Sequence, residues 1–345
     1  MDLIDLAYLE ELHDDYDGMQ PSVPIEARTF RPRRTQYFFD SCTDHEFLRN
    51  FRFTKIGAIH LTELLEAELT SSARGGCPLT PQDIVIVSLN ILGGGHFLRT
   101  GALLVNISCS AAGNALGNFC KAVNKVIKPQ VLHLPDLETM YRTSQKLLKK
   151  YHLPDFAFAI DGVHIFFDDK PRGIPQDRIA QAFFGRKLRY AVNAVAIGGT
   201  DRFIFDLNLV SPGSFSDSTT WRCSTVKTIL EGLHPKFLLA GDSGYSKSKI
   251  MVTPFSNEDA LGDPHKRLFN LRLSGLRAEG SENIFGMWKR RWPIIKHVRL
   301  NHDNAIEAVF ATAVLHNLCV HWNQPEPPVD GEDEIPDEFL NFNQG

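Results

Sequence analysis

Three acidic residues stand where a chain could hold them for phosphoryl chemistry. The apolar run from Phe156 to Ile160 ends in Asp161 and turns through Gly162, so a buried strand carries one carboxylate to its end. Phe237-Leu238-Leu239-Ala240 does the same for Asp242, which Gly241 and Gly244 flank. The third acid, Glu282, opens a stretch through Trp292 that reads as a basic amphipathic helix. An acid inside a sheet is costly unless a cation pairs with it. Two strand-end aspartates and a helix-borne glutamate suit two divalent ions, Mg2+ or Mn2+, which take oxygen ligands. Such ions stand roughly 3.5 to 4 Å apart, one activating water or a 3′-hydroxyl and one stabilising the leaving oxygen. Lys289, Arg290 and Arg291, two turns beyond Glu282, would grip phosphates beside the scissile bond.

Each residue also has an ordinary reading. Strand-end aspartates commonly accept hydrogen bonds from nearby backbone amides. Asp217, in Gly213-Ser214-Phe215-Ser216-Asp217, precedes a helix expected from Thr219, so it is either a helix cap or a fourth metal ligand. Glu279 competes with Glu282, and Gly280 is expected to hold Glu279 out of a helix that begins at Ser281. His164, three residues after Asp161 on a strand, falls on the opposite face and reads as packed or bonded. His316, Cys319 and His321 do not share one helix face, so they read as the end of a core helix and not as a metal cluster.

Five segments in order resemble the PIF/Harbinger transposase group, which includes the Harbinger transposase-derived nucleases. They are Ile160 to His164, Gly213 to Ser218, Gly241 to Tyr245 with Thr253-Pro254-Phe255, the Glu282 segment, and Leu315 to Cys319. The resemblance implies an RNase H-like fold with a DDE triad of Asp161, Asp242 and Glu282, with Asp217 as a further acid. Position 281 departs from the family pattern, being serine where an aliphatic residue is usual. The resemblance also implies a Myb-like DNA-binding partner that helps recognise transposon ends and carries the nuclease into the nucleus. Without that partner the chain would be left in the cytoplasm.

The elements that must position these residues can be read in outline. Thr80-Pro81-Gln82-Asp83 is a helix start, and Gly93-Gly94-Gly95 is a helix stop without the Gly-Lys-Ser/Thr of a phosphate loop. Arg99 to Val126 reads as a helix-turn-helix whose second helix Ser110 would cap. That helix carries an apolar stripe of Leu116, Phe119, Val123 and Val126. Opposite it, Asn114, Asn118, Lys121, Lys125 and Lys128 form a polar face that is either solvated or on DNA. From Phe156 the order is three strands (156–167, 190–197, 202–210), a helix (219–233), strands (237–241, 251–253) and helices from Ser281 and Asn304. This fits a mixed α/β sheet in which the first and fourth strands are neighbours.

Composition sets the outer limits. At 345 residues and 43% apolar content the chain can bury a sizeable core. No apolar run is long enough to span a membrane, and the acidic N-terminus does not resemble a signal peptide. Six cysteines without a C-x-x-C pair argue against a zinc knuckle or a disulfide framework. The net charge of −4 hides an asymmetry: residues 1–20 and 325–345 hold fourteen acids and no Lys or Arg, so 27 acids face 37 bases between them, a body near +10. Four regions are expected: an acidic segment 1–20, a helical domain 21–152, an RNase H-like nuclease domain 153–323 and a disordered acidic tail 324–345. The reading is a metal-dependent DNA endonuclease or strand-transfer enzyme, from a transposon or domesticated. The alternatives are a non-catalytic DNA-binding scaffold and a metallophosphatase for small phosphates, which leaves the basic helix unexplained. Oligomeric state stays open, a homo-oligomer included.

Overall fold

A computed structural model describes residues 34–70, 78–95, 97–168, 170, 181–185, 188–233 and 236–328. The acidic segment 1–20, Cys77 and residues 329–345 of the acidic tail lie outside the described residues.

The N-terminal helices are α1 (Thr35–Asp40), α2 (Asp44–Phe51), α3 (Lys55–Leu69), α4 (Pro81–Gly94), α5 (Leu98–Val105), α6 (Cys109–Val126), α7 (Lys128–Val131) and α8 (Leu137–Tyr151). The punctuation sets their ends. Thr80 and Asp83 form a capping box around Pro81, and Gly95 closes α4 with a left-handed φ of 62°. The helix-turn-helix reading holds for α5 and α6 in outline, but the cap is Ser108, whose hydroxyl accepts the Ala111 N–H, and not Ser110. Leu116, Phe119 and Val123 are buried as the stripe requires, and α6 packs against α3, α4, α5 and α14 (His302–His321).

The sheet follows: β1 (Phe156–Phe166), β2 (Ala191–Gly198), β3 (Ile204–Pro212), β4 (Leu238–Ala240) and β5 (Met251–Val252), in the order β3-β2-β1-β4-β5. β1, β2 and β3 are antiparallel, and β4 and β5 run parallel to β1. Three antiparallel strands extended by two parallel ones make an RNase H-like sheet, as expected. One face packs on the helices through Val163, Ile165, Val192 and Ala194. The other face packs through Phe158, Ile160 and Val195 on Trp221 and Leu230, which lie on α9 (Asp217–Arg222) and α10 (Thr225–Leu233). The single helix expected over 219–233 is therefore two, broken at Cys223-Ser224.

The helix expected from Ser281 begins far earlier. After the short α11 (Asn257–Leu261), α12 (Pro264–Arg277) runs through a π-helical turn (Ala278–Glu282) into α13 (Asn283–Arg291). Asp263 caps α12 through the His265 and Lys266 amides, and Pro264 takes its first position. Among the described residues no helix is long and apolar enough to cross a membrane.

Candidate active site

β1 and β4 pair in parallel with Ala159 opposite Ala240. Asp161 and Asp242, each two residues further on, therefore reach the same level in the middle of the sheet. Gly162 N–H donates to Asp161 Oδ1 at 2.8 Å, and Gly244 N–H donates to Asp242 Oδ1 at 2.9 Å. Asp242 has the ordinary turn-forming role beyond β4, but Asp161 does not end its strand as expected: β1 runs on through Gly162 to Phe166, so Asp161 lies within the sheet, and the two amides orient both carboxylates. Burial pushes the Asp161 carboxyl above the usual carboxylate range; the Gly162 amide and the Arg277 guanidinium oppose this, while the charges of Asp242 and Asp217 add to it.

Asp217 joins this group from the opposite side of β1. It does not cap α9, because that role belongs to Ser216, whose Oγ accepts the Thr219 N–H at 3.2 Å. The fully buried Asn193 on β2 instead donates to Asp217 Oδ1 at 2.8 Å. The carboxylate lies directly over Gly162, where a Cβ would come within 2.1 Å of its carbon. Gly162 is therefore glycine because Asp217 fills the side-chain position.

The π turn places Glu282. Gly280 lands on the Ala159–Gly198 pair of β1 and β2, where a Cβ on Gly198 would lie 2.3 Å from the Gly280 carbonyl oxygen. The extra residue of the turn carries the Asn283 N–H back to the Ala278 carbonyl, and Ser281 Oγ donates to the Arg277 carbonyl at 2.9 Å. Glu279, held inside the helix and not displaced from it by Gly280, points to α8, where Lys150 donates to it at 2.6 Å and the Tyr151 hydroxyl donates as well. Against the effect of burial, those two donors hold its carboxyl below the usual range. Glu282 shares a counter-ion with Asp161: Arg277 Nη2 stands 3.7 Å from Glu282 Oε1 and 4.0 Å from Asp161 Oδ2.

Tyr245, Asn193 and Arg277 are site residues to which sequence reasoning gave no role. Tyr245 is buried within electrostatic reach of Asp217, Asp161, Asp242 and Arg277; burial first, then the three acids, raise its phenol well above its ordinary value. Its hydroxyl has no hydrogen-bond partner among the described residues. The Gly241-Asp242-Ser243-Gly244-Tyr245 motif was the available signal. The all-oxygen set suits a hard divalent ion, and the unpartnered hydroxyl beside mutually repelling carboxylates is an environment that a cation would satisfy. The acids nevertheless fall short of a common point: among the described residues no three acidic, histidine or cysteine side chains could hold one metal ion.

The basic residues divide. Arg290 and Lys121 are exposed, and Lys289 is half-buried. Lys125 is exposed but pairs with Glu68 at 2.7 Å. Lys128 leaves the polar face: its Nζ sits 3.6 Å from the centre of the Phe310 ring, and burial lowers its pKa. Arg291 is buried and donates to the Arg52 and Pro325 carbonyls at 2.9 Å each, with Glu326 as counter-ion at 3.7 Å. Lys128 and Arg291 therefore do not belong to a DNA-facing set. His316 is a core residue as read, its Nε2 on the Arg202 carbonyl at 2.9 Å, and His164 stacks with Phe166.

The mixed five-strand sheet, with Asp161 on β1 and Asp242 just beyond β4, is similar to what the DDE resemblance implies. Residues 160–317 match the family model for the DDE superfamily endonuclease, a span that takes in every acid of the site. The human protein named "Putative nuclease HARBI1" is 18% identical over 300 residues, covering 84% of this chain and 83% of its own. Both likenesses agree with the Harbinger-type DDE nuclease resemblance of its five motifs. A structure of a pre-cleavage Mos1 transpososome aligns over 74% of this chain and 82% of its own at 13% identity, with a TM-score of 0.19, too low to bear on the fold.

Proposed function

We propose that the chain is a divalent-metal-dependent DNA endonuclease or strand-transfer enzyme in which Asp161, Asp242 and Glu282 hold Mg2+ or Mn2+ and Asp217 is a further acid of the site. The observation that carries this reading is the common level of Asp161 and Asp242 at adjacent parallel strands, with Arg277 shared between Asp161 and Glu282. A bound divalent ion would activate the attacking oxygen and stabilise the leaving one. The chain's own residues hold the carboxylates in place: Gly162 and Gly244 through their amides, Asn193 through Asp217, and the π turn through its seat on Ala159 and Gly198. Lys289 and Arg290 would meet backbone phosphates on the exposed side of α13, and Lys121 on α6. A Myb-like partner that supplies end recognition and nuclear entry completes the proposal, on the strength of the family resemblance.

The ion pairs of Arg277 favour a second reading, a DNA-binding scaffold whose acids are neutralised from within. Calorimetric titration of Mn2+ into the wild type and Asp161→Ala separates the two. The nuclease reading expects binding in the wild type and its loss in the variant; equal heats in both leave only the scaffold.

A further inference from the structure

Arg277 ends α12 with its side chain 17% exposed, beside an Asp161 side chain 19% exposed and a Glu282 side chain 56% exposed. One nitrogen, Nη2, faces both carboxylates at 4.0 and 3.7 Å. Both separations exceed hydrogen-bond reach, so neither carboxylate forks onto the guanidinium. Its Nε is buried without a hydrogen-bond partner among the described residues. The cation is thus held by charge and without a geometric lock. It lies where the positive charge of a shared metal would be needed, between the sheet acid and the helix acid. A guanidinium and a divalent ion cannot both occupy that place, because like charges within about 4 Å in a partly buried site repel strongly.

We propose that Arg277 is an internal counter-ion of the acidic site: it bridges Asp161 and Glu282 in the metal-free protein and is displaced when a divalent cation binds. The inference rests on the reading of Asp161, Asp242 and Glu282 as metal-binding acids. It accounts for carboxylates that cluster without meeting at one point, since a guanidinium is a larger and more loosely held cation than Mg2+, whose oxygen ligands stand at about 2.1 Å. It makes Arg277 a positioning residue that keeps Glu282 directed at the sheet while metal is scarce. In exchange it lowers metal affinity.

The test is calorimetric titration of Mn2+ into the full chain as wild type, Arg277→Gln, Arg277→Lys and Asp242→Asn, with a melting curve for each metal-free protein. Arg277→Gln should bind Mn2+ about tenfold more tightly and melt at a lower temperature without metal. Arg277→Lys, which keeps the charge, should stay within about threefold of the wild type. Unchanged or weaker Mn2+ binding in Arg277→Gln overturns the proposal. Loss of binding in Asp242→Asn without a gain in Arg277→Gln removes the counter-ion role alone. Equal binding in Asp242→Asn and the wild type removes the metal site itself, and the proposal with it. Should Arg277→Gln fail to fold, the wild type decides: the Arg277 Nε–Hε resonance, assigned by its absence in Arg277→Lys, must move on addition of Mg2+. A stationary resonance would contradict displacement.

Discussion

Arg290 and Arg291 are neighbours in sequence with opposite tasks. Helical spacing places both after Glu282, yet Arg291 turns inward to bond the Arg52 and Pro325 carbonyls, while Arg290 stays exposed. Removing a buried charged donor leaves its acceptors unpaired, so Arg291→Ala should cost about 2–4 kcal/mol of stability. It should leave the salt dependence of DNA binding unchanged. Arg290→Ala should do the reverse, lowering the log-log salt slope by about 0.9 for one lost phosphate contact. Denaturant unfolding and gel shifts over a salt series read both effects, and an altered slope in Arg291→Ala would return that residue to the DNA surface. The common level of Asp161 and Asp242 was legible in the sequence, because apolar strand runs have a local signal. The burial of Lys128 and Arg291 was not legible. Periodicity shows which face a side chain occupies, but Phe310 and Pro325, which cover those faces, are distant in sequence.

At the scale of elements, the π turn controls the site. It inserts one residue between Arg277 and Glu282, and that spacing turns Glu279 toward Lys150 and Glu282 toward Arg277. No local signal distinguishes a π turn from the start of a helix, which is why Gly280 reads in sequence as a break and Ser281 as a beginning. In the fold, Gly280 is where a continuous helix meets Ala159 and Gly198 without side chains between them. Gly198→Ala would force the β2 Cβ against the Gly280 carbonyl oxygen. It should destabilise the chain by about 1–3 kcal/mol and weaken Mn2+ binding through the displaced Glu282. Thermal melting and calorimetry on one sample would show this. Wild-type metal affinity in a destabilised Gly198→Ala would mean that the turn does not position the site. The strand order, by contrast, was legible: three strands in succession, then alternation, leave β1 and β4 as neighbours. The helix break at Cys223-Ser224 was not, for want of a proline to mark it, whereas the start of α12 did carry a signal, the capping Asp263 followed by Pro264, that the sequence reading did not use.

Over the whole molecule, one buried histidine ties stability to pH. His316 lies in α14 against Arg202 of the β2–β3 turn, and burial lowers its pKa to about 4 from 6.5, with the Arg291 charge adding to the effect. Above pH 6.5 it is neutral in both folded and unfolded chains and its stability contribution is complete. As pH falls from 6.5 toward 4, the unfolded chain binds a proton that the fold resists, and stability is lost. The loss should reach about 2 kcal/mol by pH 5. Urea unfolding at pH 7 and pH 5 should show that difference in the wild type and not in His316→Gln; equal pH slopes would contradict it. The same scale frames the charge, since a net −4 chain with a body near +10 should bind DNA in a strongly salt-dependent way.

The most direct test of the account is plasmid nicking by the wild type and Asp242→Asn with Mg2+ or Mn2+, beside a gel shift on the same DNA and controls in EDTA. Asn keeps the shape of Asp and removes the charge that would hold a metal. The account predicts nicking by the wild type that EDTA abolishes, none by Asp242→Asn, and near-equal DNA binding by both. Metal-dependent nicking that persists in Asp242→Asn would contradict it.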